Sequence, residues 1–289
     1  MSVQPTTRSI LHHQHVDMKK SVLIIALSAL FFVACKEEPP PVDKTDNTVK
    51  TDELAVPSVD TKYRPFLHFF NSIHCGGCGR FGIPVSDKVA DEMGDSIFML
   101  PTHFKYNDVF LNNSTLAIEK ALVVTYHSPQ LWVNKKEHTY DIINFSHERA
   151  ANYLKAELRK ELDTDPGLHL GLDYKLKENG RLEVVVAVEN SGADSATYHF
   201  EVYGMEDGLN EVQAGNTPYR RDHDRVNRGG HFGDMGKKKT FEANEQVVER
   251  FEYVPCLGCT PENLYLAVVA WKDLGNGRFE YVNGKVFKK

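Results

Sequence analysis

The chain has 289 residues, five cysteines, 41% hydrophobic and 26% charged residues, and a formal net charge of −6. An acidic balance argues against nucleic acid or an anionic lipid surface as a partner. No P-loop, Rossmann glycine pattern, serine nucleophile elbow or H-E-x-x-H motif occurs, so those enzyme classes have no support.

The N-terminus reads as an address. Lys19 and Lys20 precede an apolar run from Ser21 to Ala34. A run of about fifteen residues suits a signal sequence, whereas a spanning helix needs roughly twenty. The run ends Phe32-Val33-Ala34-Cys35. This resembles a bacterial lipoprotein signal with Phe where Leu is usual. The resemblance implies cleavage before Cys35, lipidation of its thiol and a membrane lipid anchor. Met18 heads a complete signal, so the residues before it, with His12, His13 and His15, read as upstream sequence and not as a metal site. Residues 1–34 hold three basic and one acidic residue, and their removal leaves a net charge of −8. Lys36-Glu37-Glu38 resembles the surface-export signal of Bacteroidetes lipoproteins; a solvated linker start is the other reading. The Pro-, Thr-, Asp- and Lys-rich stretch to Asp60 completes a disordered tether over residues 35–60.

Residues 61–163 alternate strand and helix signals. Phe66 to Phe70 is the short apolar run of a buried strand. Phe81, Ile83, Val85, Val89, Ala90 and Met93 follow at loosely helical spacing, and Gly94-Asp95 ends that helix. Ser96 to Leu100 reads as a strand and Leu116 to Val124 as a helix. A strand led by Pro129 runs to a turn at Asn134-Lys135-Lys136-Glu137, with a last strand expected near Tyr140. Ser146 to Leu162 is an amphipathic helix.

Two motifs punctuate this order: His74-Cys75-Gly76-Gly77-Cys78 before the first helix, and His127-Ser128-Pro129-Gln130-Leu131-Trp132-Val133-Asn134 at the later strand. Together they resemble the thioredoxin fold. The resemblance implies that Pro129 is cis and faces the cysteine pair, making Ser128 and Pro129 binding candidates for an extended polypeptide. At a helix start the macrodipole favours a thiolate, so Cys75 would attack and Cys78 resolve. A structural staple is the other reading of this pair, and an ordinary strand-start proline the other reading of Pro129. Three departures bear on activity. His74 stands where Trp is usual and either supports the Cys75 thiolate or faces solvent. Phe69 replaces the buried acid that moves protons. Gly76-Gly77 lacks a rigidifying proline, which raises the entropy of the open dithiol loop.

From residue 167 to 289 helical periodicity vanishes. Leu168 to Tyr174, Arg181 to Val188, Tyr198 to Tyr203, Gln246 to Val254, Asn263 to Trp271 and Arg278 to Val282 read as strands. Turn signals such as Glu178-Asn179-Gly180 and Gly275-Asn276-Gly277 separate them. The fold class is therefore an α/β thioredoxin-like domain followed by an antiparallel β-sandwich-like domain. The charged, glycine-rich stretch from Asn216 to Lys239 reads as a solvated interdomain loop; a metal or anion site is the other reading. Cys256 and Cys259 form a second C-x-x-C between strands, with no helix start to activate a thiol. A loop-stapling structural disulfide is the first reading; a relay with Cys75–Cys78 and a zinc site shared by all four cysteines are the others.

Gly215, then His223-Asp224-Arg225-Val226-Asn227-Arg228, loosely matches the Gly, His and V-x-R of secreted thioredoxin-like proteins of unknown function. The whole also resembles related Bacteroidetes outer-membrane lipoproteins. That resemblance implies an outer-membrane, lipid-anchored protein on the periplasmic or surface face, needing no cofactor. The leading expectation is a thiol–disulfide oxidoreductase acting on protein thiols or disulfides through Cys75 and Cys78, with His74 beside them. The competing class is a non-catalytic module docking on an outer-membrane partner, and a metal carrier using Cys75, Cys78 and His74 is a third.

Overall fold

The structure, a computed structural model, describes residues 53–289 apart from 105–106, 123 and 125–126. The leader, Cys35 and the tether up to residue 52 lie outside the described residues. Four strands form a mixed sheet: β1 (Phe66–Asn71), β2 (Phe98–His103), β3 (Gln130–Val133) and β4 (Lys136–Glu137), in the order β2-β1-β3-β4. β1 runs parallel to β2 and antiparallel to β3. Every residue of β1 is buried, because both faces of the sheet are covered and alternate side chains serve different cores.

One face carries Leu67, Phe69, Met99, Leu131 and Val133 against α1 (Ile83–Met93) and α4 (His147–Arg159). A π-type turn, Cys78–Gly82, leads straight into α1, and Pro84, second in α1, stands where that turn gives way to α-helix. α4 begins as the spacing predicts, with Ser146 accepting the Arg149 N–H. α2 (Asn113–Ala121) starts a turn earlier than Leu116, because Asn112 and Thr115 form a capping box.

The remaining strands are β5 (Leu168–Leu176), β6 (Leu182–Asn190), β7 (Ala196–Glu206), β8 (Leu209–Val212), β9 (Arg220–His223), β10 (Val226–Gly230), β11 (Lys237–Phe241), β12 (Gln246–Tyr253), β13 (Leu264–Gly275) and β14 (Arg278–Phe287). Their pairings are all antiparallel. They make the sheet β10-β7-β13-β14 with β11 also on β7, the sheet β12-β6-β5 and the hairpin β8-β9. The architecture is thus β-rich and mostly antiparallel, with few helices.

The second face of the first sheet packs on the later strands, with Ile118 and Ala121 of α2 in the same core. Phe66, Phe70, Phe98 and Leu100 enter the same core as Val184, Phe200, Val268 and Trp271. Phe66 stacks on Tyr281 at 4.6 Å and meets Trp271 at 5.9 Å. The Tyr281 hydroxyl donates to Arg64 O at 2.6 Å. Residues 51–289 accordingly make one compact unit.

Three expectations are corrected. The last strand of the sheet falls at Lys136–Glu137 and stops short of Tyr140: Thr139–Ile142 is a short helix, α3, because Thr139 Oγ1 accepts the Leu131 N–H (2.9 Å) that a longer pairing strand would have taken. The stretch Asn216 to Lys239 is not a loop but holds β9, β10 and most of β11, whose many exposed polar side chains hide the strand pattern. The tether ends before Asp60, whose N–H donates to Leu170 O at 2.9 Å while its carboxylate pairs with Arg64 and Lys285. Among the described residues no helix is long and apolar enough to cross a membrane.

Candidate functional site

The C-x-x-C lies where the chain leaves β1. Cys75 N–H donates to Ser72 O (3.0 Å), closing a turn, and helical backbone begins at Gly76. Cys75 and Cys78 form a disulfide with Cα atoms 5.1 Å apart. Cys78 is fully buried and Cys75 half-buried. The Cys78 N–H donates to Cys75 Sγ at 3.0 Å, so the outer sulfur sits against an otherwise unpaired amide of the first turn.

Pro129 faces this pair, and the Ser128–Pro129 bond is cis. A Cβ on Gly77 would lie 3.1 Å from Pro129 Cδ. A Cβ on Gly82 would lie 2.8 Å from Pro129 Cβ and 2.7 Å from the Phe69 ring. At 82 only glycine lets Pro129 come this close, and at 77 any other residue would push it back by a few tenths of an ångström. Ser128 is half-buried beside it. His74 is exposed, with Nε2 3.2 Å from Asn107 O, so backbone of the neighbouring loop positions the ring.

Phe69 is fully buried in the same core as Cys78. A buried acidic anchor, Asp108, stands on the loop after β2. Its Oδ2 accepts the Ile73 N–H (2.9 Å) and lies 2.9 Å from His103 Nδ1; its Oδ1 accepts the Phe110 N–H (3.0 Å). Burial pushes the Asp108 carboxyl up, but His103 and these amides outweigh it and the net shift is downward. The His223 ring packs on Phe110 at 5.2 Å and on His103 at 6.1 Å. Burial, then the charges of His103 and Arg221, lower the His223 pKa to about 4.

A strap from the far half of the chain lies on the cysteine loop. Gln213, fully buried, donates through Nε2 to Ser72 O (3.2 Å) and Cys75 O (3.1 Å). Ala214 N–H donates to Ile73 O at 2.7 Å. A Cβ on Gly215 would come within 2.2 Å of Gly76 O, and one on Gly79 within 2.2 Å of Ala214 O. Gly215, matched in the sequence only as part of a motif, is therefore a close-approach glycine over the cysteine loop. Nothing in the sequence marks Gln213.

Cys256 and Cys259 form a second disulfide, Cα atoms 5.2 Å apart, in the connection between β12 and β13. The four cysteines thus stand as two separate pairs. Among the described residues no group of three or more His, Cys, Asp and Glu is placed to hold a metal ion.

No family model matches the chain, and no curated protein matches it. Among solved structures, HBP35 of Porphyromonas gingivalis superposes with a TM-score of 0.57 at 14% identity, over 80% of this chain and 76% of that one. A domain of the outer membrane lipoprotein Omp28 from Porphyromonas gingivalis gives a TM-score of 0.29 at 16% identity, over 42% of this chain and 87% of that one. The first likeness is one of fold alone. The second is too slight to define a common fold, and nothing follows from it.

Proposed function

We propose that this chain is a thioredoxin-like envelope protein whose Cys75–Cys78 couple exchanges with protein thiols and disulfides. Residues 61–163 are the thioredoxin-like domain, and residues 167–289 an antiparallel β-sandwich-like domain docked on it. Lipidated Cys35 anchors the mature protein to the outer membrane, and the partners are protein substrates, not nucleic acid. The observation that carries this reading is the Cys75 sulfur, half-buried, taking the Cys78 N–H at 3.0 Å opposite Pro129. That donor and the helix start favour Cys75 as a thiolate once the bond is reduced. The Cys75 thiolate then attacks a substrate disulfide and releases one substrate thiolate. Cys78 attacks the resulting mixed disulfide, restoring Cys75–Cys78 and releasing the second substrate thiol. Ser128 and Pro129 border the cleft such a polypeptide would enter, and His74 stands at its rim.

The test is the reduction potential of Cys75–Cys78 in the full chain, with Cys75→Ser as control. A potential in the range of exchange proteins, above about −270 mV, supports the reading; one below about −300 mV belongs to a structural disulfide and refutes it. A second reading, a non-catalytic surface module, is favoured by one observation: the Gln213-Ala214-Gly215 strap covers the backbone of Gly76 and Gly79.

A further inference from the structure

We propose that Cys256–Cys259 is a second thiol–disulfide centre, in which Arg228 stabilises Cys259 as the leaving thiolate when a protein thiolate attacks Cys256. The sequence expects a loop staple here, because no helix start is present to activate a sulfur. The fold supplies another device. β10 carries Arg228 to the β12–β13 connection, and its Nε lies 3.3 Å from Cys259 Sγ. The same Nε is 3.1 Å from Glu206 Oε2 on β7, with Glu206 fully buried and the Arg228 side chain 13% exposed. No hydrogen bond reaches Glu206 Oε2, so that contact is one of charge, and the N–H is directed at the sulfur.

Glu206 also holds the other half of the arrangement. Its Oε1 accepts the N–H of Thr260, the residue after Cys259, at 2.9 Å. One buried carboxylate thus fixes both the cation and the backbone that carries the sulfur. A staple requires neither, and a buried ion pair contributes little net stability of its own. A guanidinium N–H on a sulfur is worth most when that sulfur is anionic, which it becomes only on reduction. Glu206 opposes that charge, but the Arg228 N–H is the group directed at the sulfur.

Access fits the chemistry. Leu257, between the two cysteines, is fully exposed, Val254 is 60% exposed, and both sulfurs belong to half-buried residues. The oxidant is the Cys256–Cys259 bond and the reductant a pair of protein thiols. A substrate thiolate attacks Cys256 Sγ, the Cys256–Cys259 bond breaks, and Cys259 leaves as the thiolate beside Arg228. The second substrate thiol, losing its proton to water, attacks the substrate sulfur of the mixed disulfide. A substrate disulfide forms and Cys256 is released as thiolate, so two electrons pass to the pair. A leaving thiol of lower pKa departs faster and makes the disulfide more oxidising.

The experiment uses the full chain carrying Cys75→Ser and Cys78→Ser, so its outcome is independent of the first centre. It is equilibrated in graded glutathione buffers, and Cys256 and Cys259 are followed by peptide-resolved thiol labelling under native conditions. The expected result is reduction of the pair within the glutathione range. In Arg228→Met/Glu206→Gln, which removes both charges and leaves no buried carboxylate unpaired, the equilibrium constant for reduction falls about tenfold, a shift of about 30 mV. A pair that stays oxidised in every glutathione buffer overturns the proposal, as does an unchanged equilibrium constant in the double variant.

Discussion

Gly215→Ala tests whether the strap is fixed to the cysteine loop by contact or only passes near it. Gly215 has φ +80°, and its added Cβ would stand 2.2 Å from Gly76 O and 2.9 Å from Gly76 Cα. The left-handed backbone alone costs a non-glycine residue about 1–2 kcal/mol. The overlap is against backbone, which cannot rotate away, so relief needs a shift of about 1 Å, and such overpacking costs typically 1–3 kcal/mol. The sum is about 2–5 kcal/mol unless the strap lifts. Lifting gives up the Ala214 N–H bond to Ile73 O and the Gln213 bonds to Ser72 O and Cys75 O, each worth about 1 kcal/mol, so it relieves little. Gly208→Ala is the internal control, because Gly208 has φ +72° with nothing within 4 Å of the added Cβ, and it should cost only the backbone part. Urea unfolding and hydrogen exchange at the Ala214 amide read the two effects. Equal stability losses in the two variants, with Ala214 protection unchanged, would refute the contact argument.

Two further predictions concern stability. His223 has its folded pKa lowered to about 4 from 6.5, so its contribution is fully present above pH 6.5 and is lost as pH falls towards 4. That amounts to about 3 kcal/mol at most, and His223→Leu should remove this acid slope from urea midpoints measured against pH. Glu201, which burial pushes up to about 7, gives a slope of opposite sign between pH 4.5 and 7. The measurement is therefore the difference between variant and parent curves, and identical curves would exclude His223 as the source. Phe98→Ala removes a fully buried ring shared by both halves and should cost about 3–5 kcal/mol. Unfolding should remain one transition for both halves; two transitions with only one displaced would contradict a common core.

What could be read in advance divides along the range of the interactions. β1 was legible because Phe66-Leu67-His68-Phe69-Phe70 is apolar on both faces, which only a sandwiched strand requires. α4 was legible because Ser146 and the apolar spacing after it are local signals. α3 was not, since the Thr139 hydroxyl bond to Leu131 depends on where the chain turns at Asn134, which has φ 51°. β9 reads Arg-Arg-Asp-His, and its inward positions, Arg221 and His223, are polar, so its burial alternates without an apolar pattern to detect. At the site, the cysteine spacing and the proline were visible, and Arg228 stood in the V-x-R match without a role, while Gln213, Asp108 and Glu206 were not visible. Their roles arise from contacts across distant segments, and a lone Gln, Asp or Glu in a polar stretch gives no sign of them.

The strap also bears on one of the departures that weigh against chemistry at Cys75. Gly76-Gly77 between the cysteines gives the open dithiol loop a freedom that glycine adds at roughly 0.5–1 kcal/mol per residue relative to alanine. The fold restrains that loop from outside. Gln213 holds Cys75 O, Ala214 holds Ile73 O, and Gly215 lies on Gly76. Two hydrogen bonds at about 1 kcal/mol each are enough to offset two glycines. None of these contacts involves a sulfur, so all of them survive opening of the disulfide. The loop in the reduced chain is then held by backbone bonds to Gln213 and Ala214 and not by a proline between the cysteines. Glycine at 215 is what lets the strap lie on the Gly76 backbone, whereas a Cβ on Gly76 would meet only the Arg80 guanidinium, at 3.4 Å.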